Sequence, residues 1–550
     1  MTYTPTPEQI KVINATDPVL VVLGGAGTGK TTTAAVAARK RIEDAESERL
    51  RVRRDALLSG KRAKQRPPAR ALFLSFSRTA VAQVIDRASS VIGPTLQRLD
   101  VATFDGFAWR VINDFGAHYG YPPPQSVVSA ASAKVPGAPQ GLTYQQLIPA
   151  ARKLLALSNV GAHYDDRYCL VICDEFQDTN DLEWEFMQEI APAAPRMLLG
   201  DANQCIYADM KRIDPEVRIA DACALPGAQR VDLSAESHRD PSQVLPAAAA
   251  AALRRKFSHP YVATAASSGR LRVTRKRSPK GYAEIVDLTA RARHEGRTVN
   301  IFTHTNNATA DLSDALTDAD VRHEQVGFGE AHGEALSAQL ELLRYAWRQE
   351  AAPRRALAVY MTANYRGKTL PDLAQQVLDR TNPALERQIE DLANNLVTAG
   401  DLRDVEALAQ HVREAYAHVG MERGQETWTQ ASAQFRSALN LLNVSTGSIA
   451  AVEAQLGQAH DDTLLNCHRQ AARQVQVMNL HQTKGREADV TLLLLQEDEW
   501  HGREREPFPK GSRLLYVVMT RARQEAHIVC GTEVHALWRP LVEAVEKSQP

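Results

Sequence analysis

Residues 21–33, VVLGGAGTGKTTT, restrict the fold more than any other stretch of the chain. Gly24, Gly29, Lys30 and Thr31 satisfy the spacing GxxxxGK[ST], after the apolar run PVLVVLGG and before an alanine-rich stretch. Such an order demands a buried strand, a tight glycine turn and a helix N-terminus in succession. The glycines let backbone N–H groups converge on phosphate oxygens, and the helix start adds a favourable dipole. Gly24, Gly25, Ala26, Gly27, Thr28, Gly29 and Thr32 are therefore expected along the phosphates. Lys30 is expected at the β and γ positions, and Thr31 on Mg²⁺. A glycine-rich turn without a ligand is the plain alternative, and the flanking strand and helix weigh against it.

Three more apolar runs, ARALFLSF, YCLVICDE and PRMLLGD, follow within the first 240 residues. Continuous apolar runs of this length suit parallel strands buried on both faces. Helix-compatible stretches separate them, so the fold class is α/β with a parallel sheet. The pattern returns in RTVNIFTHT, VQVMNLH, DVTLLLLQ and AHIVCG, which makes two α/β bodies the simplest reading. Two segments differ. Residues 111–165 hold the loop-like YGYPPPQ and KVPGAPQG between helical pieces. Residues 366–470 read as mostly helical, with Ile389, Leu392 and Leu396 on one face and Val405, Leu408 and Val412 on another. Both read as insertions.

At 550 residues the chain has room for about three or four domains of ~150 residues each. Its 65 basic and 65 acidic residues argue against a polycation that coats nucleic acid, while leaving room for a local basic groove. The run from 49 to 70 is strongly basic, with Asp55 its only acid. It is either a solvated helical hairpin or a phosphate-contacting arm. Six cysteines without a CxxC pair disfavour structural zinc or a disulfide framework, and a reducing cytoplasm is the expected setting. No apolar run approaches ~18 residues, and the N-terminus lacks a basic segment followed by an apolar one. Neither a membrane span nor a signal peptide is expected.

Two further stretches carry chemistry. In LVICDEFQDTN, Asp174 and Glu175 end an apolar run. One carboxylate can support a Mg²⁺ shell while the next accepts a proton from water. An acidic pair after a strand is also an ordinary helix-start signal, but the upstream phosphate loop favours hydrolysis of a nucleoside triphosphate. In MLLGDANQCIYADM, residues 197–210, an apolar run breaks at Gly200 into Asp201, Asn203 and Gln204. These are common turn formers, so a plain loop competes with a ligand-sensing one.

The blocks GGAGTGKT, DEFQDTN, GDANQCIY, SHRDP, HQTKGRE and LLYVVMTRAR, in this order, resemble the UvrD/Rep-like superfamily 1 helicases. The resemblance implies two RecA-like P-loop domains with parallel sheets, each interrupted by a mainly helical insertion. Domain 1A would span 1–110 and 166–240, with a short 1B-like insertion at 111–165. Domain 2A would span 241–365 and 471–550, with a helical 2B-like insertion at 366–470. ATP and Mg²⁺ would sit in the cleft between 1A and 2A.

The resemblance also assigns roles. Gln9 would read the adenine edge, and Gln204 would sense the γ-phosphate. Arg239 and Arg521 would approach that phosphate, and Glu487 would lie near it and the ribose. Lys30, Thr31, Asp174 and Glu175 match the phosphate, metal and general-base positions. On the DNA side, SFSRTA offers Phe76, Ser77 and Arg78, TFDGF offers Thr103, with Asp105 in place of the usual histidine, and HQTKG offers His481 and Lys484. Tyr207 would stack on a base. Phe76 and Tyr207 are alternatively core aromatics. Several positions depart from the family pattern. Thr32 stands where an adenine-covering arginine is common, His238 where an aromatic is usual, Asp209 where a stacking tryptophan is frequent, and His304 where an arginine is common.

The implied activity is ATP-dependent translocation or unwinding, 3′ to 5′ on single-stranded DNA. Two other readings stand beside it. One is an ATP-gated DNA-sensing subunit that works with a nuclease, for example in defence against foreign DNA. The other is an ATPase acting on RNA.

Overall fold

The computed structural model describes residues 4–60, 66–76, 78–122, 127–137, 141–206, 208–211, 213–234, 236–326, 329–365, 369–421, 423–443, 448–465, 474–497, 499, 501 and 504–549. Its strands in chain order are β1 Val19–Leu23, β2 Arg70–Ser75, β3 Leu99–Thr103, β4 Val127–Val128, β5 Leu142–Thr143, β6 Tyr168–Asp174, β7 Arg196–Gly200, β8 Ala228–Asp232, β9 Leu271–Arg275, β10 Val299–Thr303, β11 Glu324–Gln325, β12 Val475–Asn479, β13 Ala488–Leu494 and β14 Ala522–Cys530. The chain is mixed α/β, and its sheets are parallel.

The first sheet has the order β3-β2-β6-β7-β1-β8. Its central members are apolar and buried along their length: VLVVL, RALFLS, YCLVICD and RMLLG. Parallel registers align their ends, with Leu23 opposite Gly200 and Asp174 opposite Leu199. The loops that follow β1, β6 and β7 therefore leave the sheet at one edge, the carboxyl end where open parallel sheets bind ligands. A second sheet has the order β11-β12-β10-β13-β14-β9. Within it β13 runs parallel to β14, and β14 to β9.

The chain divides into two compact units. Unit 1 comprises 1–123, 147–301 and 483–550, and unit 2 comprises 124–146 and 302–482. The segment 111–165, read from sequence as one insertion, thus contributes to both units. Unit 2 is built largely of helices, among them Gly329–Ala346, Pro353–Asn364, Pro383–Asp401, Val405–His418 and Gln425–Leu439. The two apolar faces read from sequence, Ile389/Leu392/Leu396 and Leu408/Val412, lie in one buried cluster with Tyr360, Trp428 and Phe435. Among the described residues no helix is long and apolar enough to cross a membrane.

Gly200 shows how tightly the sheet edge is packed. A Cβ there would lie 2.6 Å from Cε1 of Phe176, a fully buried ring, and 3.0 Å from Oε1 of Gln177. Neither neighbour can withdraw into solvent, so Gly200→Ala is expected to destabilise the fold by about 1–3 kcal/mol through overpacking. Thermal unfolding measures this, and an unchanged midpoint would contradict the packing described.

Candidate active site

The helix Lys30–Leu58 starts directly after β1 and its loop, with Gly29 as its N-cap at φ +84°. That left-handed backbone suits glycine, and a Cβ would also lie 2.8 Å from Gln9 Nε2. Gln9 itself is buried, donating to the carbonyl of Thr28 at 3.0 Å and accepting from the Thr6 backbone at 3.0 Å. It braces the loop from within unit 1. The loop carbonyls are held too: Lys30 Nζ donates to Gly24 O at 2.5 Å and Gly25 O at 3.1 Å.

A cavity of about 230 Å³ opens beside this loop. Gly25 through Thr32 line it, together with Asp174, Glu175, Gln204, His238, Arg239, Glu487 and Arg521. Every residue of this group lies in unit 1. Gly24 and Gln9 are not among the lining residues. Thr31 Oγ1 donates to Asp174 Oδ2 at 3.2 Å. Hydroxyl and carboxylate oxygens of this kind suit a hard divalent cation such as Mg²⁺.

The acidic pair is set apart by its surroundings. Burial and the adjacent Glu175 push the Asp174 carboxyl up. Burial acts on Glu175 in the same direction, but the Lys484 and Lys30 ammoniums outweigh it and hold its carboxyl below the usual range. Glu175 also adopts φ +54°, an uncommon region for a non-glycine residue and one that clusters at functional sites. Its carboxylate accepts from Gln177 Nε2 at 2.6 Å.

A hydrogen-bonded path leads from Glu175 to Arg521. Gln177 Oε1 accepts from the Asp201 backbone at 3.1 Å. Asp201 Oδ2 accepts from Gln204 Nε2 at 2.8 Å, and Gln204 Oε1 accepts from Arg521 Nη2 at 2.6 Å. The stretch MLLGDANQC thus folds as strand β7 and then one 3-10 turn, Ala202–Gln204, whose last residue enters the cavity. Arg521 is buried, and its pKa is pushed down to about 9 by burial and by the neighbouring Arg239 guanidinium. Arg239 Nε donates to Glu487 at 2.6 Å, and Arg523 and Arg87 approach the same carboxylate at 3.0 and 3.3 Å. Burial alone would raise Glu487, yet Arg239 and Arg87 hold it well below the usual carboxylate range.

Several contributors escaped the sequence reading. Arg87, from the helix Arg78–Ile92, lines the cavity. Tyr516, from the helix Ser512–Met519, receives a hydrogen bond from the Ala26 backbone at 3.2 Å. It lies inside the block LLYVVMTRAR, so the block carried the signal although the tyrosine drew no notice. Lys484 was grouped with the DNA-facing residues. Its Nζ instead contacts Asp178 and lies 3.8 Å from Glu175, buried among the acids.

Phe76 lines the cavity, packs on Phe104 at 5.3 Å between ring centroids and has Lys211 Nζ 4.2 Å above it. Thr103 is buried and N-caps the helix Phe104–Phe115, its oxygen accepting from Gly106 at 3.0 Å. His481 belongs to unit 2. Ser77, Tyr207 and the side chains of Arg78 and Asp209 lie outside the described residues.

The family described as UvrD/REP helicase N-terminal domain matches residues 5–134 and 129–209. Over these residues the chain is similar to the N-terminal domain of UvrD/REP helicases. The matched residues include the phosphate loop, the Asp174–Glu175 pair and the Gln204 turn. No curated protein matches the chain.

Proposed function

We propose that this UvrD-like chain is an ATP-dependent DNA translocase or helicase that moves 3′ to 5′ along single-stranded DNA. The observation that supports it best is one cavity lined at once by Lys30, Thr31, Asp174, Glu175, Gln204, Arg239 and Arg521. A phosphate cradle, a metal-compatible oxygen pair, a base and two guanidiniums are the parts that phosphoryl transfer to water requires. In the proposed domain reading, 1A carries the loop and acids while 2A supplies Glu487 and Arg521. DNA as track and the 3′ to 5′ direction rest on the family resemblance.

Bound Mg²⁺ would supply positive charge against the β- and γ-phosphates. Thr31 and Asp174 would hold it. Lys30 would exchange the Gly24 and Gly25 carbonyls for phosphate oxygens, which are stronger acceptors for an ammonium. Glu175, kept ionised by Lys484 and Lys30, would take a proton from water. The water oxygen then bonds to the γ-phosphorus as the bond to the β-phosphate oxygen breaks. Arg521, held beside Gln204, and Arg239, paired with Glu487, would meet the charge on the transferred group. The proposed track contacts are Phe76, Arg78, Tyr207 and His481.

The test measures ATP hydrolysis with single-stranded DNA, duplex DNA and RNA of equal length, beside unwinding of duplexes carrying a 3′ or a 5′ tail. Stimulation by single-stranded DNA and unwinding from the 3′ tail are expected. Stimulation by RNA alone would overturn the DNA reading, and unwinding only from a 5′ tail would overturn the direction. DNA-stimulated hydrolysis without unwinding would favour the nuclease-associated sensor.

A further inference from the structure

Tyr516 ties the phosphate loop to the turn that carries Arg521. Its side chain leaves the helix Ser512–Met519, which is buried along nearly its whole length. The hydroxyl oxygen accepts from the Ala26 N–H at 3.2 Å. Other groups of the same loop are held from within it: the Gly24 and Gly25 carbonyls accept from Lys30, and Thr28 Oγ1 donates to Gly25 O at 3.1 Å. Ala26 is buried, and a buried N–H that loses its acceptor is costly. A Cβ on Gly25 would lie 3.3 Å from the same phenol oxygen, so the hydroxyl sits directly on the loop backbone. Burial and the Asp201 carboxylate push the Tyr516 pKa up to about 12, which keeps the hydroxyl neutral at pH 7. Tyr516 is not among the residues that line the nucleotide cavity. It reaches the chemistry through its neighbours.

Between the phenol and the Arg521 guanidinium the backbone forms a closed turn. The Tyr516 carbonyl accepts from Thr520 N at 3.0 Å and from Thr520 Oγ1 at 2.8 Å. The Val517 carbonyl accepts from Arg521 Nε at 3.2 Å. Ala488 N donates to the Arg521 carbonyl at 3.2 Å, which seats the turn on β13. Arg239 donates to the Thr520 carbonyl, and Arg521 Nη2 donates to Gln204 at 2.6 Å. Residues 516–521 thus meet the phosphate loop at one end and the Gln204 turn at the other. Two anchors on a stiff turn give the guanidinium one place relative to the loop. With the Gln204 bond alone, the turn can pivot about it.

We infer that Tyr516 is a positioning residue for ATP hydrolysis, its hydroxyl on the Ala26 N–H setting the distance between Arg521 and the phosphate loop. The inference rests on the proposed role of Arg521 in that reaction. Phenylalanine would fill the same space, so the hydroxyl is the part that carries the role.

Tyr516→Phe keeps the ring and removes the acceptor. It is expected to lower kcat for ATP hydrolysis with single-stranded DNA by about 10- to 100-fold, the scale of a small misplacement, with nucleotide affinity within about threefold of wild type. Thermal unfolding near the wild-type midpoint is expected too, because the ring still packs. The double variant separates positioning from a general defect. Residues that act as one unit do not add, so Tyr516→Phe with Arg521→Ala should hydrolyse ATP within about twofold of Arg521→Ala alone, in single turnovers with enzyme in excess. Wild-type kcat for Tyr516→Phe, beside a collapsed Arg521→Ala, overturns this inference and leaves the proposed activity standing. So do defects that multiply in the double variant, or a loss confined to nucleotide binding, because the phenol would then serve the loop alone. A collapse of the unfolding midpoint would give the hydroxyl a structural role and overturn the inference as well. Wild-type kcat for Arg521→Ala overturns it together with the role of Arg521 on which it rests.

Discussion

Replacing Arg521 by alanine is expected to lower kcat for ATP hydrolysis by about 10³–10⁵-fold, the range for a guanidinium that meets charge developing on a transferred phosphoryl group. The expectation rests on where the side chain is held. Arg521 is buried, anchored through Nε to Val517 O at 3.2 Å and through Nη2 to Gln204 at 2.6 Å. A guanidinium fixed in a water-poor cavity stabilises charge more strongly than one in solvent, and needs little reorganisation to do so. Removing it also leaves Gln204 Oε1 without its charged donor, so Gln204 would lose its link to the transferred group. The measurement is steady-state hydrolysis at saturating ATP and single-stranded DNA, with nucleotide binding determined separately. A small fall in binding with a large fall in kcat is the expected division. Wild-type kcat would remove Arg521 from the reaction.

Glu175→Gln is expected to lower kcat by about 10²–10⁴-fold, the contribution typical of a positioned general base, while nucleotide binding persists. Glutamine is nearly isosteric and can still lie beside Gln177, but it cannot accept the proton of water. Lys484 and Lys30 keep the Glu175 carboxylate ionised, so it is available to take that proton. The neutral replacement leaves both ammoniums facing one fewer carboxylate, and tighter ATP binding is a reasonable accompaniment. Single-turnover hydrolysis beside equilibrium binding separates the two effects. Hydrolysis at the wild-type rate would show that another group activates the water.

The strands that were legible in the sequence are those buried on both faces. VLVVL, RALFLS, YCLVICD and RMLLG form the centre of the first sheet, and VQVMN, VNIFT, ADVTLLL and ARQEAHIVC pair within the second. The strands that escaped notice are β3 and β8 in the first sheet and β9 and β11 in the second, and all four are edges. An edge strand has one free side and less burial, so it needs no continuous apolar run. β8, AQRVD, has no fully buried residue, and β9, LRVTR, alternates.

The candidate site divides in the same way. GxxxxGK[ST] and the Asp174–Glu175 pair are local signals, because a few consecutive residues already dictate a strand end, a turn and a helix start. That much the sequence determined by itself: a parallel α/β fold with a phosphate loop and an acidic pair at strand ends. What meets them comes from far along the chain. Arg239 finds Glu487 across 248 positions, and Tyr516 finds Ala26 across 490. Lys484 looked like part of a DNA-facing block, and packing instead buried its ammonium among Glu175 and Asp178. Thr103, in the block TFDGF, caps the backbone of the next helix, a contact that the block's likeness did not announce. Periodicity reports whether a position is buried, not which distant group lies opposite it. Only the tertiary structure decided those partners, because a buried charge keeps only the position where an opposite charge or a hydrogen bond compensates its lost hydration.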